Sequence, residues 1–91
     1  MHIRLEKVRP TKNQYRYYAL SVIPTLFGEW SLVKNWGRIG SRGGQERSEW
    51  FPDKMTAYNA MIAVSRQKQG RGYMVHPEQL VLPLKPSPSD L

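Results

Sequence analysis

The sequence predicts an α+β fold: an antiparallel β-sheet of four to five strands with one α-helix packed across one face. Two observations carry that prediction. Residues 2–51 break into short segments of alternating polarity joined by glycine- or proline-bearing turns, the pattern of an antiparallel meander. Residues 53–69 then change to helical spacing, and a lone amphipathic helix must bury its apolar stripe on something, for which a sheet face is the available surface. A length of 91 residues fits one domain, since domains typically run to about 100–150 residues.

The elements follow in order. His2 to Val8 alternates Ile3 and Leu5 with Arg4 and Glu6, and "RPTKN" supplies turn residues in Pro10 and Asn13. The run "QYRYYALSVIPTLF" is rich in aromatic and β-branched residues, with Tyr15, Tyr17, Ala19, Ser21 and Ile23 on one face and Arg16, Tyr18, Leu20 and Val22 on the other. Gly28 turns the chain into a third strand, Trp30 to Ile39. "GSRGG" turns it again into a fourth, Gln45 to Phe51. Pro52-Asp53 opens the helix, which runs to about Gln69 with Asp53 as N-cap and Gly70 as the residue just past its end. Ala57, Tyr58, Met61, Ile62 and Ser65 form its buried stripe, and Arg66 and Lys68 complement the dipole in its last turn. Tyr73 to His76 has the makings of a short extra strand. The domain is expected to span residues 1–80, and the Pro/Ser-rich residues 81–91 read as a disordered C-terminal tail.

Composition narrows the function. The chain carries 14 Lys+Arg against 7 Asp+Glu, a net charge of +7. Such an excess favours a polyanionic partner, whether nucleic acid or an anionic surface. There is no cysteine, hence no disulfide scaffold and no thiolate zinc site. No apolar run approaches the roughly 20 residues that span a bilayer, and the charged start "MHIRLEKVRP" lacks a signal core. The expectation is a cytoplasmic protein, nucleoid-associated in a bacterium, with no membrane partner.

Catalytic chemistry finds little to work with. His2 and His76 are the two histidines, and neither has a partner at ligand or catalytic spacing. The carboxylates are scattered among basic neighbours rather than paired in apolar segments. The chain is therefore expected not to be an enzyme and to use no cofactor and no metal. "GRIGSRGG" resembles a phosphate-cradling loop only superficially: it lacks the Lys-Ser/Thr ending and joins strand to strand. Its Arg42 can still reach a phosphate from the turn.

The third strand carries the stronger signal. Strict alternation puts Trp30, Leu32, Lys34, Trp36 and Arg38 on one face, apolar toward the start and basic-aromatic toward the end. If the strand end leaves the core, Trp36 stands between two cations, an aromatic plate for a base or sugar flanked by charges for phosphates. Gly37, lacking a side chain, would let a ligand backbone approach. The plainer alternative is a core tryptophan with Arg38 stacked over its ring. Spacing leaves both open.

"SLVKNWGRIGSRGG" resembles the signature of the WGR domain family, named for the triplet present here as Trp36, Gly37 and Arg38. The resemblance extends through "YRYYAL", "WSLVKNWGRIG", the strand ending "EWF", the helix "DKMTAYNAM" and the closing "RGY", about residues 3 to 75. It implies a central antiparallel sheet with a helix. In eukaryotic poly(ADP-ribose) polymerases this domain helps recognise DNA strand breaks, its Trp packing on a nucleotide sugar and nearby basic residues holding phosphates. Carried over, Trp36 is the stacking residue, and Arg38 sits near DNA or at a contact with another domain. No zinc finger, regulatory helical domain or ADP-ribosyltransferase domain accompanies the motif in this sequence, so only the binding half of that role carries over. Lys34, Arg42, Arg47, Lys68 and Arg71 are added as candidate phosphate contacts from charge and position. The expectation is a module binding DNA at ends, nicks or single-stranded junctions, with RNA as a further partner class. The alternative is a protein-interaction module that docks a separately encoded partner through the Trp-Gly-Arg surface. Nucleic acid demands basic residues clustered on the motif face; a protein site demands an apolar centre.

Overall fold

A computed structural model of the chain describes residues 1–76, so the domain limit at 80 and the tail at 81–91 lie outside the described residues. The elements are β1 (His2–Arg9), a 3-10 turn at Pro10–Lys12, β2 (Gln14–Pro24), β3 (Trp30–Arg38), β4 (Gln45–Phe51), α1 (Lys54–Gly70) and β5 (Met74–Val75). The fold is α+β, as the sequence predicts, with five strands in the order β4-β3-β2-β1-β5, every neighbouring pair antiparallel. Its two hairpin turns and the 3-10 turn fall where the glycines, Pro10 and Asn13 mark them, Asn13 taking the left-handed conformation with φ 52°.

Antiparallel registers fix which faces join. Leu5 lies opposite Tyr18, which lies opposite Trp36; Ile3 faces Leu20 and Leu20 faces Lys34; Val22 faces Leu32. Directly opposite residues share a face, so the β2 set containing Tyr18, Leu20 and Val22 and the β3 set containing Trp30 to Arg38 are one surface. The helix packs on that surface. Leu5, Leu20, Val22 and Leu32 from the sheet meet Ala57 and Met61 from α1, all buried, with Trp30, Phe51, Tyr58 and Ile62 packed round them.

Asp53 caps α1 as expected. Its carboxylate accepts the Thr56 backbone N–H at 2.8 Å, and these Thr56 hydrogen bonds hold its carboxyl below the usual carboxylate range. The C-terminal end differs from the sequence expectation. Gly70 is the last helical residue, and the left-handed glycine is Gly72 at φ +99°. The reason is the descent to β5: Gly72 N–H donates to Gln69 and Tyr73 N–H to Lys68, which turns the chain down beside β1. A side chain there would also meet Arg9 and Lys7, since an added Cβ would sit 2.7 Å from the Arg9 guanidinium.

Candidate nucleic-acid interface

The registers sort charge as well as apolar residues. On the helix-bearing face the strands carry Lys7, Arg9, Arg16, Lys34, Arg38 and Arg47, against one acid, Glu49. The opposite face carries Arg4 with Glu6 and Glu46. The acids are thus drawn away from the motif face, and the cations collect on it.

The helix covers only part of this face. At its last turn and beyond it lie two parallel rows that cross the strands, the first continuing the row of buried Leu5. The first is aromatic. Tyr18 and Trp36 stack with ring centroids 5.5 Å apart and planes 10° apart, and Tyr73, from the segment after the helix, meets Tyr18 edge-on at 6.3 Å. Trp36 ends the row. Its cross-strand neighbour on the β4 side is Gln45, an exposed polar residue. Burial pushes the Tyr18 hydroxyl up in pKa, with a further rise from Tyr73 and a partial offset from Arg47, so the phenol stays neutral at physiological pH.

The second row is cationic: Lys7 lies opposite Arg16, and Arg16 opposite Arg38. Like charges set directly opposite across a sheet destabilise it, and among the described residues no carboxylate forms an ion pair with any of the three. Aromatic rings take part of the load. Lys7 Nζ stands 5.8 Å from the Tyr73 centroid, and the Arg38 guanidinium, reaching round the strand end toward the opposite face, stands 5.5 Å from that of Tyr15. Lys68 reaches down from the last helical turn to 4.4 Å from the Tyr18 centroid. Desolvation lowers its pKa, and the neighbouring charges of Arg71 and Lys34 lower it further.

The residues singled out from sequence divide accordingly. Trp36, Lys34, Arg38 and Arg47 share the motif face, Lys68 joins them through the helix end, and exposed Arg71 caps that helix. Lys34 is the one with a carboxylate partner, Glu49 at 3.7 Å. Arg42 is exposed in the β3–β4 turn. Gly37 falls on the other face, where a Cβ would stand 3.1 Å from Gly44 Cα and 3.3 Å from the Tyr17 ring. Its missing side chain is explained by packing within the chain. Gly44 is tighter still, its space closed by the Trp36 carbonyl and the Tyr17 hydroxyl, so the turn glycine sets where the Trp36 backbone lies.

Sequence reasoning missed Lys7, Arg9, Arg16, Tyr18 and Tyr73 as site residues. The alternation of β2 already grouped Arg16 with Tyr18, but joining that group to Trp36 needs the β2–β3 register. That register is centred on Phe27, one residue before the glycine that marks the turn, with Pro24 opposite Trp30. Elsewhere the chemistry is sparse: among the described residues no group of three His, Cys, Asp or Glu could hold a metal. No helix of the described residues is long and apolar enough to cross a membrane.

Comparison with known proteins agrees with the geometry. Residues 1–79 match the WGR domain. An uncharacterized protein of Sinorhizobium fredii, y4dW, is 40% identical over 73 residues, covering 80% of this chain and 35% of that protein. The chain therefore spans about a third of that relative's length. With the Trp-Gly-Arg triplet closing β3 and the aromatic and cationic rows built around it, the chain belongs to the WGR domain family.

Proposed function

We propose that this chain is a non-enzymatic nucleic-acid-binding module that engages DNA at ends, nicks or single-stranded junctions. One observation carries the reading: the sheet places six cations and one acid on the motif face, beside a Trp36 that stays half-buried at the end of its aromatic row. An aromatic row beside a cationic row is what a nucleic-acid strand requires, rings for its sugars and bases and cations for its phosphates. Trp36 has one ring face against Tyr18 and takes an exposed sugar or base on the other. Arg38, Arg16 and Lys7 hold successive phosphates, while Lys68, Arg71, Lys34, Arg47 and Arg42 widen the field. Strand termini and nicks suit this site because a paired, stacked nucleotide offers Trp36 no free surface. The reading carries with it a cytoplasmic location, on the nucleoid in a bacterium.

The test is a binding titration of nicked, blunt-ended and closed-circular DNA and single-stranded RNA at two salt concentrations. With about four phosphates engaged, log K falls with log salt at a slope of roughly −3 to −4. Nicked and blunt-ended DNA bind more tightly than closed circles, and Trp36→Ala loses that preference. Equal affinity of the wild type and Trp36→Ala for a nicked duplex rejects the reading and favours a protein partner at the same surface.

A further inference from the structure

The sheet has two edges of different character. On one side the edge strand is β5, two residues long, and a proline follows at position 77. On the other side is β4, seven residues from Gln45 to Phe51, paired with β3 in continuous register and free of proline. No described strand pairs with its outer side. Edges are ordinarily blunted by shortness, proline, a bulge, a covering segment or charge. Charge is the device β4 has, in Glu46, Arg47 and Glu49, and the order of those charges selects a partner.

A strand turns the N–H and C=O of alternate residues to its outer side. Two copies meeting edge to edge about a two-fold axis must therefore pair residues of equal parity. Three registers near the middle of β4 satisfy this. Centring on Arg47 or on Glu49 sets that charge against its own copy, which is unfavourable. Centring on Ser48 pairs Gln45 with Phe51, Glu46 with Trp50 and Arg47 with Glu49. It is the register that engages all seven residues, and it makes the Arg47–Glu49 match twice on one face. Glu49 already leans on Lys34 within its own chain at 3.7 Å and has a second oxygen to offer. The same register brings a strand alongside Trp50, which is 63% exposed in the single chain.

We infer that β4 is a self-recognition edge: two copies of this chain pair antiparallel through it, about a two-fold at Ser48, into one ten-stranded sheet. The interface is isologous, the same strand serving both copies. Both Trp36 residues then lie on one face of the joined sheet, roughly 25 Å apart from strand spacing and rise. This assembly stands whether or not the motif face binds nucleic acid.

Sedimentation and covalent trapping test it. The wild type doubles in mass as concentration rises. Glu49→Arg and Arg47→Glu each remain single copies because the twice-made match becomes repulsion, and an equimolar mixture of the two forms a heterodimer. The double variant Arg47→Glu/Glu49→Arg dimerises again. Because the chain has no cysteine, Ser48→Cys reports the register directly. Its thiol meets its own copy at the axis and crosslinks under mild oxidation at least tenfold faster than Glu46→Cys, whose partner is Trp50. Ser48→Cys makes a small change on a strand and keeps the test open if a charge variant fails to fold. A wild type that stays a single copy at high concentration overturns the inference. Equal crosslinking at 46 and 48, or no heterodimer from two folded charge variants, also overturns it.

Discussion

Leu5, Leu20 and Leu32 lie on the same face of the same three strands as Lys7, Arg16 and Arg38, yet the first three are fully buried and the second three are half-buried or exposed. Alternation places both sets identically. What separates them is the second layer: α1 has 17 residues, about 25 Å of helix, and its last turn comes down over Tyr18 at Lys68. Rows before that point become core, the row at that point grades from buried Leu5 through Tyr18 to half-buried Trp36, and the Lys7–Arg16–Arg38 row beyond it becomes surface. The comparison teaches that a period of two assigns a face, while the reach of the covering element assigns burial. It also explains why cations can crowd the uncovered half, where no apolar layer demands neutrality and an anionic ligand can relieve their repulsion.

Breaking the covered half gives the largest expected effect. Leu32→Ala removes a fully buried side chain between sheet and helix and destabilises the fold by about 2–5 kcal/mol. Denaturant unfolding measures that loss, while the fraction still folded keeps its nucleic-acid affinity. Trp36→Ala does the reverse. It weakens binding to nicked DNA by about 1–3 kcal/mol, with a smaller loss of stability because Trp36 is only half-buried. If Trp36→Ala destabilises the fold as much as Leu32→Ala, the boundary between the two halves is misplaced and Trp36 is core.

Gly44→Ala sharpens the same boundary from behind. The added methyl meets the Trp36 carbonyl and the Tyr17 hydroxyl, and overpacking of this kind costs about 1–3 kcal/mol. Because the strain falls on the Trp36 backbone, binding declines along with stability. Trp fluorescence and affinity measured on one preparation should change together, whereas Gly28→Ala, with open space around its Cβ, should leave affinity intact.

Much of this was legible in the sequence, for identifiable reasons. The strands, their faces and the Asp53 cap follow from local periodicity and chemistry, which need no knowledge of distant contacts. Trp36, Lys34 and Arg38 were visible as a group because they share one strand. Lys7, Arg16, Tyr18 and Tyr73 were not, because three other segments contribute them and only the β1–β2 and β2–β3 registers and the helix exit bring them to Trp36. Gly70 and Gly37 were assigned roles from their sequence neighbours. The path into β5 moves the left-handed position to Gly72, and on the face that alternation already gives Gly37 the Tyr17 ring and Gly44, not a ligand, occupy the space beside it. Registers and the second layer, not propensities, hold the remaining information.

The smallest and most discriminating effect belongs to Lys68, which sits on the boundary itself. Its pKa lies below the ordinary lysine value, chiefly by desolvation and then through Arg71 and Lys34. Between its folded-state pKa and the ordinary value the unfolded chain holds a proton that the folded chain has released. Stability contributed by this group therefore rises with pH across that window, and below it the charge is a standing cost. A phosphate at the site favours the charged form, so the contribution of Lys68 to binding falls over the same window. Lys68→Gln accordingly leaves stability at neutral pH unchanged or raised, lowers the magnitude of the salt slope by about 1, and flattens the alkaline decline in affinity relative to wild type. Tyr18 does not mimic this, because its own pKa is pushed upward. A Lys68→Gln protein that is less stable at neutral pH but keeps the wild-type salt slope would make Lys68 part of the covered half, with Tyr18 beneath it as the last row of the core.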